Sequence, residues 1–292
     1  MTIALIAHGG AGTWRPGSEE DAIEGLRAAV AAGREILVNG GTALDAVCAT
    51  VVLLEDNPIY NAGTGAVLNI DGFCELDACV MESGQNRVGA VAALQRVKNP
   101  ILVARRVMEK TRHVMLAGEG ALRFAREQGF GDHDPVTPAR HTDWKEKLGK
   151  LRGEPEYAGG TVGAAAVDRH GVLAAATSTG GVTLKLVGRV GDSPIPGAGN
   201  YASPFVAASA TGTGEYVLRS LTARAISEAV EHGATLEAAM ESAMEQMGRD
   251  FDADVGVIAV DRQGHPVARH RTPSMPHAHF AGDGAVVARM RA

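Results

Sequence analysis

Glycine falls in six clusters along this chain, and four of them set it beside a threonine or serine. The clusters are His8-Gly9-Gly10-Ala11-Gly12, Asn61-Ala62-Gly63-Thr64-Gly65, Gly159-Gly160-Thr161-Val162-Gly163, Thr177-Ser178-Thr179-Gly180-Gly181, Gly188-Arg189-Val190-Gly191-Asp192 and Thr211-Gly212-Thr213-Gly214. With 37 glycines in 292 residues, the chain stands well above the norm of about 7%. A residue without a Cβ lets a ligand or a second strand approach the main chain, and it frees N–H groups to point at a ligand. The glycines do not follow a Gly-X-Y period, so no collagen helix is implied. They form neither a Gly-x4-Gly-Lys-Ser/Thr loop nor a Gly-x-Gly-x-x-Gly turn after a strand, which argues against phosphate binding. A short hydroxyl among such N–H groups suits acyl transfer, where the hydroxyl attacks and fixed donors hold the oxyanion.

Composition narrows the field further. Hydrophobic residues make up 45% and charged residues 21%, which excludes disorder. The length permits one large domain or two small ones. A net charge of −6 opposes nucleic-acid binding on electrostatic grounds. Cys48, Cys74 and Cys79 form no Cys-x-x-Cys and read as small buried hydrophobes. The first residues lack a basic region, and their apolar run stops at His8, so no signal peptide is expected. No apolar run nears the ~18 residues needed to span a bilayer. A cytoplasmic protein without a membrane partner is expected.

Along the chain, residues 2–8 read as a buried strand. Ser18-Glu19-Glu20-Asp21 resembles a capped helix start, Gly40-Gly41 ends that helix, and Thr42–Asp45 caps a second. A hairpin is expected over Ala66–Ile70, Asp71-Gly72 and Phe73–Met81, then a strand over Val88–Leu94. Asn99-Pro100 opens a helix, and Glu119–Gln128 reads as another. Residues 130–160 are rich in charge, proline and glycine; they read as an exposed, mobile linker with one short helix around Trp144–Leu151. Strands follow over Thr161–Val167, Val172–Thr177 and Val182–Val187. Then come a helix over Glu215–Glu231, a helix capped by Thr235, and a hairpin from Val255 to His270. This order fits layers of antiparallel sheet and helix.

A hydroxyl nucleophile needs a base. There is no Gly-x-Ser-x-Gly elbow. His8 reads as structural, and His265, His270, His277 and His279 read as a surface hairpin and tail. The remaining base is the α-amino group of an N-terminal threonine, whose pKa of about 7.7–8.0 leaves a neutral fraction near pH 7. An internal threonine gains that amine only if the chain is cut before it. Thr161 follows the charged linker and the Gly159-Gly160 pair, and it begins a strand. Its own hydroxyl could cut the chain by attacking the preceding carbonyl.

At this point the sequence resembles a known family. Gly160-Thr161-Val162-Gly163-Ala164 and Ala174-Ala175-Ala176-Thr177-Ser178-Thr179-Gly180-Gly181 look like the signature of the plant-type asparaginases and isoaspartyl peptidases, which are N-terminal nucleophile hydrolases. His8–Gly12, Asn61–Gly65, Glu75-Leu76-Asp77-Ala78 and Thr211-Gly212-Thr213-Gly214-Glu215 also resemble family motifs, in the family's order, so the resemblance spans nearly the whole chain. Gly159 stands where many relatives have His.

The resemblance implies an α+β fold, a four-layer αββα sandwich with two mainly antiparallel sheets between helix layers. It implies self-cleavage between Gly160 and Thr161, an α chain of 1–160 and a β chain of 161–292 that fold as one domain, and a homodimer of cleaved αβ units. It makes Thr161 the nucleophile and its amine the base, and it makes Thr179 the hydroxyl that tunes Thr161. Thr211 and Gly212 match the oxyanion hole, and Asn61 supports the nucleophile. Arg189 and Asp192 match the pair that holds the substrate's α-carboxylate and α-ammonium, with backbone contacts from Gly212 and Gly214. No cofactor is implied for catalysis. The loop carrying Leu54, Glu55, Asn57, Tyr60, Ala62 and Thr64 resembles a structural sodium loop whose ligands are mostly backbone carbonyls. The implied activity is hydrolysis of β-aspartyl dipeptides and L-asparagine through a β-aspartyl ester on Thr161. The rival readings are a glycosylasparaginase, a threonine endopeptidase of the same superfamily, and an amino-acid binding protein that never matures.

Overall fold

The computed structural model describes residues 2–150 and 160–291. In chain order these form β1 (Ala4–His8), α1 (Glu19–Val38), α2 (Ala43–Asp56), β2 (Leu76–Glu82), β3 (Arg87–Leu94), α3 (Pro100–Lys110), β4 (Met115–Ala117), α4 (Gly118–Glu127) and α5 (Pro138–Gly149). Beyond the linker come β5 (Val162–Val167), β6 (Leu173–Thr179), β7 (Asn200–Ala202), β8 (Val206–Gly212), α6 (Gly214–Ser220), α7 (Thr222–Glu231) and α8 (Leu236–Phe251). The chain closes with β9 (Val255–Asp261), β10 (Pro266–His270), β11 (His277–Ala281) and β12 (Val287–Arg289). Among the described residues no helix is long and apolar enough to cross a membrane.

Eight strands make one sheet in the order β12-β11-β1-β5-β6-β2-β3-β4, and four make a second, β10-β9-β8-β7. Every pairing is antiparallel except β3 with β4. Alternation along each strand explains the layering, because successive side chains point to opposite faces. From β1, Leu5 and Ala7 join a core with Leu26, Val30, Val47 and Val51 of α1 and α2, whereas Ala4 and Ile6 face the second sheet. In β6, Ala174 and Ala176 face the helices and Leu173 and Ala175 face the second sheet. In β9, Ile258 and Val260 face inward, while Val255, Val257 and Ala259 meet Ile226, Met240 and Met244 of α7 and α8. Three cores therefore separate four layers, helix–sheet–sheet–helix. Both faces of the central strands are covered, so they read as continuous apolar runs rather than as alternating ones.

The space between the sheets is filled mainly by small residues, among them Ala4, Ala165, Ala175, Ala202, Ala207 and Ala268. Small residues let the sheets approach closely, and Gly163 on β5 marks the limit. A Cβ there would collide with Ser209 Oγ on β8 and lie 2.7 Å from His8 Nε2. The excess of glycine thus serves packing as well as the site.

Several expectations are corrected. Ser18 makes no side-chain cap to α1; its hydroxyl donates instead to Arg15 O. Thr42 does cap α2, accepting from Asp45 N at 3.1 Å. Residues 66–70 and 182–187 are loops rather than strands. The two loops bond to each other, Leu184 N to Leu68 O and Ile70 N to Lys185 O, both 2.9 Å, but Leu184 has φ +61° and a strand cannot run through it. The helix expected over 215–231 breaks at Leu221, φ +47°, into α6 and α7. The histidine-rich tail is not a surface feature throughout: β11 pairs with β1 inside the larger sheet, and His277 is buried. The helix expected around Trp144–Leu151 begins earlier, at Pro138. Its expected end at Leu151 and the rest of the linker to residue 159 lie outside the described residues.

Candidate active site

Thr161 stands directly before β5, buried, with its hydroxyl donating to Thr179 Oγ1 at 3.2 Å. Thr179 ends β6, the neighbour of β5 in the sheet. Its hydroxyl oxygen also accepts from Gly181 N at 2.9 Å, which fixes the side-chain rotamer. Asn61 braces this corner. It donates from Nδ2 to Gly181 O (2.7 Å), accepts at Oδ1 from Val67 N (2.8 Å) and takes Gly180 N on its own carbonyl (3.0 Å). A Cβ on Gly160 would sit 2.8 Å from Asn61 Cβ, so the residue before Thr161 is packed against it.

Thr211 and Gly212 end β8 on the second sheet. The Thr211 hydroxyl accepts from Ala11 N at 3.2 Å, which leaves its own hydrogen to donate elsewhere. Gly212 has φ +123°, and a Cβ would strike Asp254 O; no L side chain fits there.

Arg189 and Asp192 come from the loop after β6. Arg189 does not pair with Asp192. Its Nε and Nη2 donate to Glu215 Oε1 at 2.9 and 2.7 Å. Nη1 and Nη2 face Gly191 and Gly214, where Cβ atoms would lie 2.9 and 3.1 Å away. Asp192 is buried, and its Oδ2 has no hydrogen-bond partner among the described residues. Its Oδ1 lies 2.6 Å from the place of a Cβ on Gly214. The backbone of Gly214 therefore lies against a guanidinium edge and a carboxylate, with no room there for a side chain. Burial pushes the Asp192 carboxyl up to about 7, with its own N–H and Arg189 pulling down and Glu215 pushing up. A buried carboxylate without a partner at the end of a charged fork suits a ligand that brings an ammonium and a carboxylate.

Beside β5 lies a polar network that sequence reasoning did not foresee. His8 Nε2 meets Ser209 Oγ at 3.0 Å, and Ser209 Oγ meets Thr177 Oγ1 at 2.7 Å. Thr177 donates to Gly199 O at 3.1 Å. Burial drives the His8 imidazole down to about 3, so it is neutral at physiological pH and serves as a structural bridge between the sheets. Glu215, Lys185, Glu75 and Asp77 were also missed as individual residues. A charge inside an otherwise apolar stretch, as at Lys185 in 182–187 and Asp77 in 76–81, was the available signal.

The loop of Leu54–Thr64 closes on itself through Thr64 N to Glu55 O (2.8 Å), Asn57 N to Leu54 O (3.3 Å) and Tyr60 N to Asn57 O (3.2 Å). Each of these carbonyls keeps a second lone pair, and oxygen donors of this kind fit a hard cation. Arg140 on α5 donates to Tyr60 O at 3.1 Å and Gly65 O at 2.5 Å, so a guanidinium already faces the Tyr60 carbonyl of this loop.

An αββα sandwich with a threonine opening a central strand and a hydroxyl partner beside it defines an N-terminal nucleophile hydrolase. Comparison with known proteins is specific on the family. A profile of the Asparaginase family matches residues 1–288, and the chain belongs to that family. It is 47% identical to a plant-type L-asparaginase of Pyrococcus abyssi over 94% of this chain and 95% of the relative. It is 42% identical to an isoaspartyl peptidase/L-asparaginase of Rattus norvegicus, covering 95% and 86%. An isoaspartyl peptidase of Salmonella typhimurium is 43% identical over 97% of both chains.

Proposed function

We infer that this chain is a self-cleaving amidohydrolase that acts on L-asparagine and β-aspartyl dipeptides. The observation that carries the reading is the Thr161–Thr179 hydroxyl pair at 3.2 Å, placed directly after Gly160 at the head of a central strand. In this reading the Thr161 hydroxyl attacks the Gly160 carbonyl, the peptide becomes an ester, and water opens it to leave a free threonine amine. That amine then takes the hydroxyl proton as Thr161 Oγ attacks the substrate's side-chain amide carbon. The oxyanion is met by the Thr211 hydroxyl and the main chain of Gly212. The proton passes to the leaving ammonia or amino acid, a β-aspartyl ester remains on Thr161, and water activated by the same amine releases aspartate. Arg189 takes the α-carboxylate and Asp192 the α-ammonium, on either side of Gly214.

The names of the relatives support both substrates. A sodium ion held by main-chain oxygens of Leu54, Glu55, Asn57, Tyr60, Ala62 and Thr64 would serve the loop and not the reaction. Its mark would be a thermal midpoint a few degrees higher in sodium chloride than in choline chloride. The homodimer of cleaved units rests on the family resemblance. A cytoplasmic location is supported by three cysteines, all buried and unpaired, which suits a reducing compartment. Turnover of asparagine, β-aspartyl-leucine and an N-glycosylated asparagine tests the substrate reading. It expects the first two to be hydrolysed and the third to be refused, and preference for the third would replace it with the glycosylasparaginase reading.

A further inference from the structure

The motif Glu75-Leu76-Asp77-Ala78 has no part in the chemistry above, yet it lies between the nucleophile and the substrate anchor. Asp77 is the register partner of Thr179 across β2 and β6. Glu75, directly before β2, is buried. Its carboxylate accepts from Gly188 N, at 2.9 Å to Oε1 and 3.1 Å to Oε2. Oε2 also accepts from Asn69 Nδ2 at 3.0 Å. Its main-chain carbonyl accepts from the buried ammonium of Lys185 at 2.9 Å.

One residue thus grips both ends of a four-residue turn. Lys185 is held by the backbone of Glu75 and Gly188 by its side chain. Between them Leu186 and Val187 project outward, 74% and 49% exposed. The overlapping turn from Leu186 to Arg189 is closed by Arg189 N to Leu186 O at 3.0 Å. Arg189 follows Gly188 directly. The hydrogen bonds that define the clasp converge on Glu75, whose carboxylate offers two acceptor oxygens and whose carbonyl offers a third. Asp77 adds to the hold. Its Oδ1 takes Ala93 N at 2.8 Å, and its charge lies close enough to Lys185 and Arg189 to be felt by both.

We propose that Glu75 is a positioning residue for substrate binding. By clasping Lys185 and Gly188 it sets where the Arg189 guanidinium meets the substrate's α-carboxylate. The inference rests on the amidohydrolase reading and names a determinant of affinity within it. The nucleophile corner hangs on Asn61, Gly180 and Gly181 instead, so self-cleavage and turnover at saturation do not depend on the clasp. A bidentate contact loses its geometry with a small shift of the fork.

Three proteins test this: wild type, Glu75→Ala and Glu75→Gln. All three are expected to show two fragments on a denaturing gel. For Glu75→Ala, KM for asparagine is expected to rise about tenfold or more while kcat stays within about threefold. The inhibition constant of L-aspartate should rise in parallel. That of β-alanine, which lacks the α-carboxylate, should not move. Glu75→Gln keeps one acceptor oxygen and should raise KM by about threefold. A purely structural role would lower the thermal midpoint without separating aspartate from β-alanine, and that result overturns the proposal. So does an unchanged KM in either variant. If Glu75→Ala does not fold, the KM of Glu75→Gln decides alone. An inert wild type sinks the amidohydrolase reading and this inference with it, whereas an active wild type with indifferent variants sinks only the inference.

Discussion

The hydroxyls of Thr161 and Thr179 are 3.2 Å apart, and Thr179 is itself oriented by Gly181 N. Thr179→Ala should therefore lower kcat by about 10- to 100-fold with KM little changed, and Thr179→Ser should recover most of it. Steady-state kinetics on asparagine would show this. Asp192 makes a separate, pH-dependent prediction. Burial lifts its carboxyl to about 7, with Arg189, Glu215 and Asp77 as the charged groups facing it. Only the ionised form can pair with a substrate ammonium. KM should then be lowest above pH 7 and rise as pH falls through about 7. Asp192→Asn should raise KM and flatten that dependence, while the acid limb of kcat, set by the Thr161 amine, should persist. Glu55 tests the same physics through stability. It is fully buried, accepts from Ser178 Oγ at 2.6 Å and Ile101 N at 3.0 Å, and is pushed up to about 8. Its folded value exceeds the unfolded one of about 4.3, so the native chain holds a proton the unfolded chain has lost. Its contribution is full below about pH 4 and is lost as pH rises through 8. The thermal midpoint of Glu55→Gln relative to wild type should therefore climb between pH 5 and 8 and level off above.

At the level of elements, the link between α6 and α7 is a strained point. Leu221 sits at φ +47° and ψ +47° with an exposed side chain, a conformation that costs an L residue about 1 kcal/mol. Leu221→Gly should raise unfolding stability by about 0.5–1 kcal/mol in urea titrations. That kink was illegible in the sequence, because Glu215–Glu231 carries an unbroken helical pattern. The strands β5, β6 and β9 were legible from their apolar runs, and the Thr42 and Thr235 caps from their spacing. Strand β8 was missed because Ala207, Ala208, Ser209 and Ala210 are too small to signal a strand, although Ala207 and Ser209 face the other sheet and let the two close up. Residues 66–70 and 182–187 were misread for a related reason. They are apolar like strands, but they bond to each other and to their own turns rather than to a sheet. Thr161, Thr179, Thr211 and Asn61 could be named from motifs. The contacts Glu75–Gly188, Ser209–His8 and Glu215–Arg189 could not, because they span from 26 to 201 positions in sequence. Such pairs exist only once the sheets are stacked.

The whole molecule is two sheets closed on each other with a helix layer outside each, and the residues before and after position 160 meet within the larger sheet. The larger sheet takes β1 to β4 from before that position and β5, β6, β11 and β12 from after it. A cut between Gly160 and Thr161 therefore leaves two fragments bound by shared sheet and core. They should co-purify under native conditions and separate only in denaturant. The decisive measurement is intact-mass analysis of denatured wild type and Thr161→Ala, paired with an asparagine assay. Fragments 1–160 and 161–292 with a free N-terminal threonine in an active wild type, against an intact and inert Thr161→Ala, is the predicted result. A wild type that stays in one piece and still hydrolyses asparagine would contradict it.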